Sequence, residues 1–235
     1  MTRASKTRKM TSFIKPCLLA LALMAFMTGI SWADPVTFDL VGVNDQSLMT
    51  SVTFGYNQLS GTISIDITNL SQIPPNLDPR VTSFAFNAPE AVSGASSSLP
   101  LPAGWSIVFT PDDVNTPGNY GTFDIAGLTG PNFQGGSPNS GISVGDTFHF
   151  EITLTGSGLN GLDEMDFLSL LSAEENQNTS TEYFIARFQR TGPTGEGSDV
   201  GTPSGPPASV PEPATLLLLG VGLVGLAGLR RKKEI

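Results

Sequence analysis

The chain has 235 residues and a formal net charge of −9, but its charges are unevenly distributed. Nine of the twelve cations lie before residue 34 or after residue 229, so the segment 34–210 carries nineteen acidic residues against three arginines, a formal charge of −16. Nucleic acids and anionic membrane surfaces both favour a basic protein surface, so neither is expected as a partner of this segment. Solubility accounts for the acidity, and divalent cations or neutral and cationic polymers are compatible with it.

The first 33 residues have the pattern of a secretory signal peptide. A cationic stretch that ends at Lys15 is followed by the apolar run 18–26. Small residues then precede a predicted cleavage between Ala33 and Asp34. Cys17, the single cysteine, lies before the apolar run and leaves with the signal peptide. The exported part therefore has no thiol or disulfide chemistry.

The segment 34–190 is predicted to be one domain built from short strands. In 61–68, for example, Ile63, Ile65 and Ile67 alternate with polar residues, which is typical of a half-buried strand. The predicted strands are 36–43, 51–56, 61–68, 81–87, 105–110, 120–126, 147–155 and 182–190. Proline, glycine and asparagine mark 70–80 and 127–141 as loops. This spacing predicts an all-β fold, a single antiparallel β-sandwich of the jelly-roll or immunoglobulin-like type, with one core.

The segment 162–173 interrupts the strand pattern, and a short helix is preferred there over a further strand. Asp163, Glu164 and Asp166 suit the first turn of a helix. The same carboxylates could supply oxygen ligands to Ca²⁺, although they lack the spacing of an EF-hand loop. Solvated acids at a helix start are the preferred interpretation, and no other cofactor is expected.

Few residues suggest catalysis or ligand binding. His149 is the only histidine, and it lies within a predicted strand without a recognisable nucleophile nearby. Trp105, Tyr120 and Tyr183 could stack on sugars, although core or edge positions are commoner for aromatic residues. Paired carboxylates for glycoside hydrolysis could come from separate strands, but no phosphate-binding or dinucleotide motif is present. The domain is therefore interpreted as a non-enzyme.

Between residues 191 and 210 the composition changes. Fifteen of these twenty residues are Gly, Pro, Ser or Thr, and no apolar pattern recurs. Such a composition predicts a flexible tether.

The segment 211–235 combines three features in a fixed order. Pro211, Glu212 and Pro213 form an acidic tripeptide that its prolines keep extended. The sixteen uncharged residues 214–229 follow, and as a helix they would span about 24 Å, close to the ~30 Å hydrocarbon core of a bilayer. A basic tail then ends the transmembrane segment on the cytoplasmic side. That tail consists of Arg230, Arg231, Lys232 and Lys233.

These features resemble the PEP-CTERM sorting signal of Gram-negative bacteria, which the membrane protease-transpeptidase exosortase recognises and processes. The resemblance implies a single-pass stage in the inner membrane, in which Pro211, Glu212 and Pro213 are substrate residues. Cutting there would release the protein to the cell surface or extracellular matrix. A plain C-terminal membrane anchor is the alternative interpretation of the same residues.

Proteins of this class are usually associated with biofilm and exopolysaccharide production. The resemblance therefore implies an exported surface or matrix protein with a structural or adhesive role. The alternative is a polysaccharide-binding or polysaccharide-cleaving sandwich that uses exposed aromatic residues and a carboxylate pair.

Overall fold

The computed structural model describes residues 35–72, 77–116, 120–174 and 180–207. The predicted signal peptide 1–33, its cleavage site at Ala33 and Asp34, the tripeptide at 211–213 and the apolar and basic segments after it lie outside these residues. No helix among the residues described is both long and apolar enough to cross a membrane.

The described chain is dominated by ten strands. They are β1 Val36–Gly42, β2 Met49–Asn57, β3 Thr62–Asn69, β4 Arg80–Phe86, β5 Val92–Ser97, β6 Ser106–Asn115, β7 Thr122–Leu128, β8 Thr147–Gly156, β9 Phe184–Thr191 and β10 Gly197–Pro203. The helix α1, Glu164–Leu168, lies between β8 and β9. The eight predicted strands are confirmed, most within two residues at each end. The preference for a short helix in 162–173 is also confirmed.

Two strands were not predicted from the sequence, and there is a physical reason for each omission. β5 consists mostly of Ser, Gly and Ala, and only Val92 at its start is buried, so it shows no apolar alternation. β10 lies inside the Gly- and Pro-rich segment that was predicted to be a flexible tether. Its placement changes the interpretation of residues 191–210.

All ten strands belong to a single antiparallel sheet, in the order β5-β8-β3-β2-β1-β10-β9-β4-β7-β6. The two edge strands, β5 and β6, lie beside each other, so the sheet curls around one apolar core. The all-β antiparallel class is therefore confirmed. The predicted division into two sandwich sheets differs from the structure, because β10 hydrogen-bonds to β1 on one side and to β9 on the other.

The core is built largely from phenylalanine rings contributed by strands on both sides of the curl. The ring centroid of Phe84 on β4 lies 4.9 Å from that of Phe150 on β8, in an edge-to-face arrangement. Phe54 on β2 meets Phe86 on β4 in the same way at 5.5 Å. Each such ring stabilises the fold by about 1.5–3 kcal/mol through burial, and edge-to-face geometry adds to this.

The part of the sheet around β4 and β9 is buried on its outer face as well. Ala85, Ile185 and Val200 form a second apolar cluster, to which Phe133 is added from the loop after β7. The hydroxyl of Ser83 donates to the carbonyl oxygen of Phe133 at 2.9 Å and holds this loop against the sheet. β4 is consequently buried from Val81 to Phe86, where a half-buried strand would alternate.

The tether prediction for 191–210 is wrong over β10. Leu40 on β1 is opposite Pro203, and Val200 is opposite Arg187 on β9, so the strand is paired along both edges. A side chain at Gly201 would place its Cβ 2.8 Å from the buried ring of Phe188. The glycine is therefore required for the close packing of β10 against Phe188. In the sequence, the same glycine was interpreted as part of a flexible tether.

The chain stays bound for two residues beyond β10. The Ser204 amide donates to the carbonyl oxygen of Asp39 at 3.0 Å. The hydroxyl of Tyr183 donates to the carbonyl oxygen of Gly205 at 2.9 Å. The fold thus holds the chain up to Gly205.

Candidate functional site

The acidic tripeptide Pro211, Glu212 and Pro213 lies just beyond the residues described. The fold limits the length of chain between the domain and this tripeptide. Gly205 is the last of the residues described for which a hydrogen bond to the fold is seen, and its carbonyl oxygen accepts from Tyr183. Six residue steps separate Gly205 from Pro211, and at roughly 3.5 Å per step they span at most about 21 Å. The tripeptide therefore follows closely on a folded sheet.

His149 lies on the exposed face of β8, as expected for a solvated strand histidine. Its Nδ1 is 2.7 Å from Oδ1 of Asp66, the residue opposite it on β3. Both side chains are about half exposed. A cross-strand pair in this setting contributes modestly to sheet stability.

The acidic residues of α1 serve the fold in two ways. The Asp163 carboxylate accepts from the amides of Met165 and Asp166, and the Asp166 carboxylate accepts from the Asp163 amide at 2.7 Å, which forms a capping box. Glu164 instead turns into the core, where its Oε1 accepts from the Tyr56 amide at 2.7 Å. No group of three or more metal-ligating side chains is found within the described ranges.

The prediction of solvated acids at this helix start is therefore correct for Asp163 and Asp166 but wrong for Glu164, which is 3% exposed. Glu164, Phe167 and Leu168 are the buried residues of α1. They stand at positions i, i+3 and i+4 and so share one helix face. That spacing was visible in the sequence and could have identified the inward-facing carboxylate.

The three aromatic residues considered for sugar stacking are buried to different degrees. Trp105 is buried, its ring lies 4.9 Å from that of Phe150, and its Nε1 donates to the Ser140 carbonyl at 2.8 Å. Tyr183 is also buried, and burial, followed by the charge of Glu182, raises its pKa to about 12. These contacts assign Trp105 and Tyr183 to the core.

Tyr120 is half-buried and packs beside the outer apolar cluster. Burial raises the pKa of its hydroxyl, and the charges of Asp199 and Glu182 raise the pKa further. Burial likewise raises the pKa of the Glu182 carboxyl. Of the three aromatic residues considered, Tyr120 is thus the one that is partly exposed.

A cavity of about 280 Å³ lies beside β6 and β7 and is lined by Glu90, Asp112 and Asp124 among others. The Asp124 carboxylate accepts from the Ala88 amide at 2.8 Å and from the Asp112 amide at 2.7 Å. Asp112 has a φ of 53° within the irregular part of β6. Asp124 therefore holds a strained bulge in place, and both its oxygens are engaged.

A second cavity, of about 260 Å³, is mainly apolar and includes Leu48, Leu77 and Arg190 in its lining. Arg190 and Arg80 both interact with the carboxylate of Asp78. Arg190 also donates to Oδ1 of Asn139 at 2.5 Å. These two arginines are thus engaged in holding loops onto β4 and β9.

Comparison with known proteins adds one finding. The family model of the PEP-CTERM protein-sorting motif matches residues 209–232. The match covers Pro211, Glu212 and Pro213, the apolar segment 214–229 and most of the basic tail, and so confirms the resemblance identified in the sequence. No curated protein and no solved structure matches the chain.

The motif marks the chain for export and for recognition by exosortase. It begins at residue 209, four residues after Gly205, the last described residue with a hydrogen bond to the fold. Sorting signal and folded sheet are therefore nearly contiguous in the chain.

Proposed function

We propose that this protein is exported by its signal peptide, held in the inner membrane of a Gram-negative bacterium, and cut by exosortase near Pro211, Glu212 and Pro213. The observation that carries the proposal is the sorting-motif match over residues 209–232. The apolar segment 214–229 is the single membrane pass before processing, and Arg230, Arg231, Lys232 and Lys233 keep its end in the cytoplasm.

The released all-β domain has a structural or adhesive role at the cell surface or in the extracellular matrix, in connection with exopolysaccharide or biofilm. Its support is a compact sheet around a phenylalanine-rich core, together with the large excess of acidic residues in 34–210. Repulsion between like charges keeps such a domain soluble outside the cell.

The role we propose is non-enzymatic. His149 is exposed in mid-strand and bonded to Asp66, and Asp124 is engaged by two backbone amides. The glycan alternative is less well supported, because Trp105 packs in the core and does not form an exposed platform.

Intact mass and cell fractionation of the full chain test the sorting step, with wild type compared with Glu212→Ala. The wild type should lose the residues after the tripeptide and reach the surface fraction. The variant should keep its full C-terminus and remain in the inner membrane. Glu196→Ala is the matched control, because Glu196 is an exposed acid in the loop before β10, and it should be processed like the wild type.

If wild type and Glu212→Ala both remain full length in the membrane, the segment acts as a plain anchor and the sorting proposal is wrong. The matrix role has a separate test, in which a deletion strain is grown under biofilm-forming conditions. A normal surface matrix in that strain would contradict the structural role.

A further inference from the structure

β10 occupies the centre of the sheet although it is the last strand in the part of the chain that the structure describes. One edge pairs with β1, where Gly42 is opposite Gly201, and the other edge pairs with β9, where Ala186 is opposite Gly201. In the strand order, β10 provides the hydrogen-bonded link between the five-strand half β5-β8-β3-β2-β1 and the four-strand half β9-β4-β7-β6. Without it, the described sheet is divided into two halves.

The side chains of β10 also complete the outer face of the sheet. Val200 belongs to the apolar cluster of Ala85 and Ile185. Asp199, which is 5% exposed, accepts from the amides of Asn44 and Asp45 at 3.0 Å each. A chain that lacks β10 would leave two backbone edges, an apolar cluster and the loop after β1 without their partners, at a cost in free energy for each.

We infer that β10 is the closing strand of the fold, and that the domain is already closed around it when the sorting motif meets its processing enzyme. This rests on the proposed export and processing of the chain. Residues 197–205 must leave the translocation path before the sheet can close, and the motif follows at residue 209. Exosortase therefore acts on a motif joined by a few residues to a folded domain.

The relative direction of β1 and β10 agrees with this inference. Leu40 on β1 is opposite Pro203 at the end of β10, and the two strands are antiparallel. The start of β1, just after the signal-peptide cleavage site, and the exit towards the sorting motif thus lie at the same end of two neighbouring strands.

Protease resistance of the full-length chain in membrane fractions tests the inference, and Gly201→Val is the informative variant. A Cβ at Gly201 would lie 2.8 Å from the Phe188 ring and 3.4 Å from the Leu40 Cβ, so β10 could keep its place only if the buried Phe188 ring moved. Gly205→Val is the matched control, because no atom lies within 4 Å of a Cβ at that position. Wild type and Gly205→Val should give a resistant fragment that covers the domain, and Gly201→Val should be degraded at least about ten-fold faster.

A rescue variant separates loss of the closing strand from general misfolding. A second copy of residues 197–207, which keeps the wild-type glycine at the position of Gly201, is placed between Asp34 and Pro35 of the Gly201→Val chain. A short Gly/Ser loop joins this copy to Pro35. It can occupy the vacated position beside β1 and should restore the resistant fragment. Persistent degradation of the rescue variant, or full resistance of Gly201→Val alone, would overturn the role of β10.

The order of folding and processing is tested by measuring protease resistance in a host without exosortase. There the unprocessed wild type should already give the resistant fragment. An unprocessed chain that is protease-sensitive in that host, while the processed chain from a host with exosortase is resistant, would overturn the inference. This readout does not depend on cleavage. If wild type and Glu212→Ala both remain full length in a host with exosortase, the sorting proposal is lost while the resistance data still test β10.

Discussion

The carboxylate of Asp199 on β10 accepts two hydrogen bonds from Asn44, which lies 155 residues earlier in the chain. The Asn44 amide nitrogen is 3.0 Å from Oδ2, and its side-chain Nδ2 is 2.7 Å from Oδ1. The amide of Asp45 also donates to Oδ2 at 3.0 Å. The loop between β1 and β2 is therefore bound to the closing strand by a buried acceptor.

Replacement of this acceptor should destabilise the domain. Asp199→Ala leaves the amides of Asn44 and Asp45 and the Asn44 side chain without their acceptor, and the free energy of unfolding should fall by about 1–3 kcal/mol. Urea unfolding of the purified full chain measures the change. Asp39→Ala, at an exposed position on β1, is the control and should change the unfolding free energy little. Equal unfolding free energies for the two variants would contradict the assignment.

The inward-facing carboxylate of Glu164 gives a second prediction. Glu164→Ala removes the acceptor for the buried Tyr56 amide and should lower the unfolding free energy by about 1–3 kcal/mol. Glu164→Gln keeps an oxygen acceptor and should recover part of the loss. The control is Glu174→Ala at an exposed position, measured by the same urea titration. If Glu164→Ala proves no more destabilising than Glu174→Ala, the contact has no energetic role.

Glu182 should make stability depend on pH in a defined direction. Burial raises the pKa of its carboxyl above the ordinary value of 4.5. As pH rises through this range, the unfolded chain loses the proton before the folded chain does, so Glu182 lowers the stability of the domain above its folded pKa. Glu182→Gln should therefore be more stable than wild type at pH 7 and show no such advantage near pH 4. An advantage of the same size at both pH values would rule out this linkage.

Tyr183 should make the stability of the domain depend on pH in the alkaline range. Its hydroxyl donates to the Gly205 carbonyl at 2.9 Å, and burial, with the charge of Glu182, raises its pKa from 10.0 to about 12. Its contribution to stability is complete below pH 10 and is lost as pH rises towards 12, because the unfolded chain ionises first. Thermal unfolding should show Tyr183→Phe less stable by about 1 kcal/mol at pH 8. The gap should narrow by pH 11, and a constant gap would count against the raised pKa.

Several features of the fold were predictable because they depend on neighbouring residues along the chain. The alternation of Ile63, Ile65 and Ile67 predicts a strand with one buried face, and all three side chains are fully buried in β3. The spacing of Asp163 and Asp166 suits a helix start, and the two residues form the capping box of α1. Period and end signals of this kind are local, so no knowledge of the partner strands is needed.

Some features of the candidate site could likewise be predicted from the sequence, and others could not. The sorting motif was recognisable from the order of Pro211, Glu212 and Pro213, an apolar segment and a basic tail. The core position of Trp105 was not recognisable, because whether a strand side chain faces solvent or core depends on what packs against it. The helix spacing could have placed Glu164 on the inner face, but it could not have identified the group that Glu164 bonds to. Trp105 has Phe150 as its neighbour 45 residues further along the chain, and Glu164 bonds to Tyr56, 108 residues earlier.

The sequence by itself determined the all-β antiparallel class, most strand positions and the sorting motif, since each is encoded in short-range composition and periodicity. Only the tertiary structure decided that Gly197–Pro203 is a central strand rather than a tether. The missing side chain of Gly201 matters only because the Phe188 ring packs against this position. The carboxylate of Asp199 matters only because Asn44 lies close enough to donate to it. A segment rich in Gly, Pro and Ser has little intrinsic preference for a strand, so its conformation is determined by the two strands that pair with it.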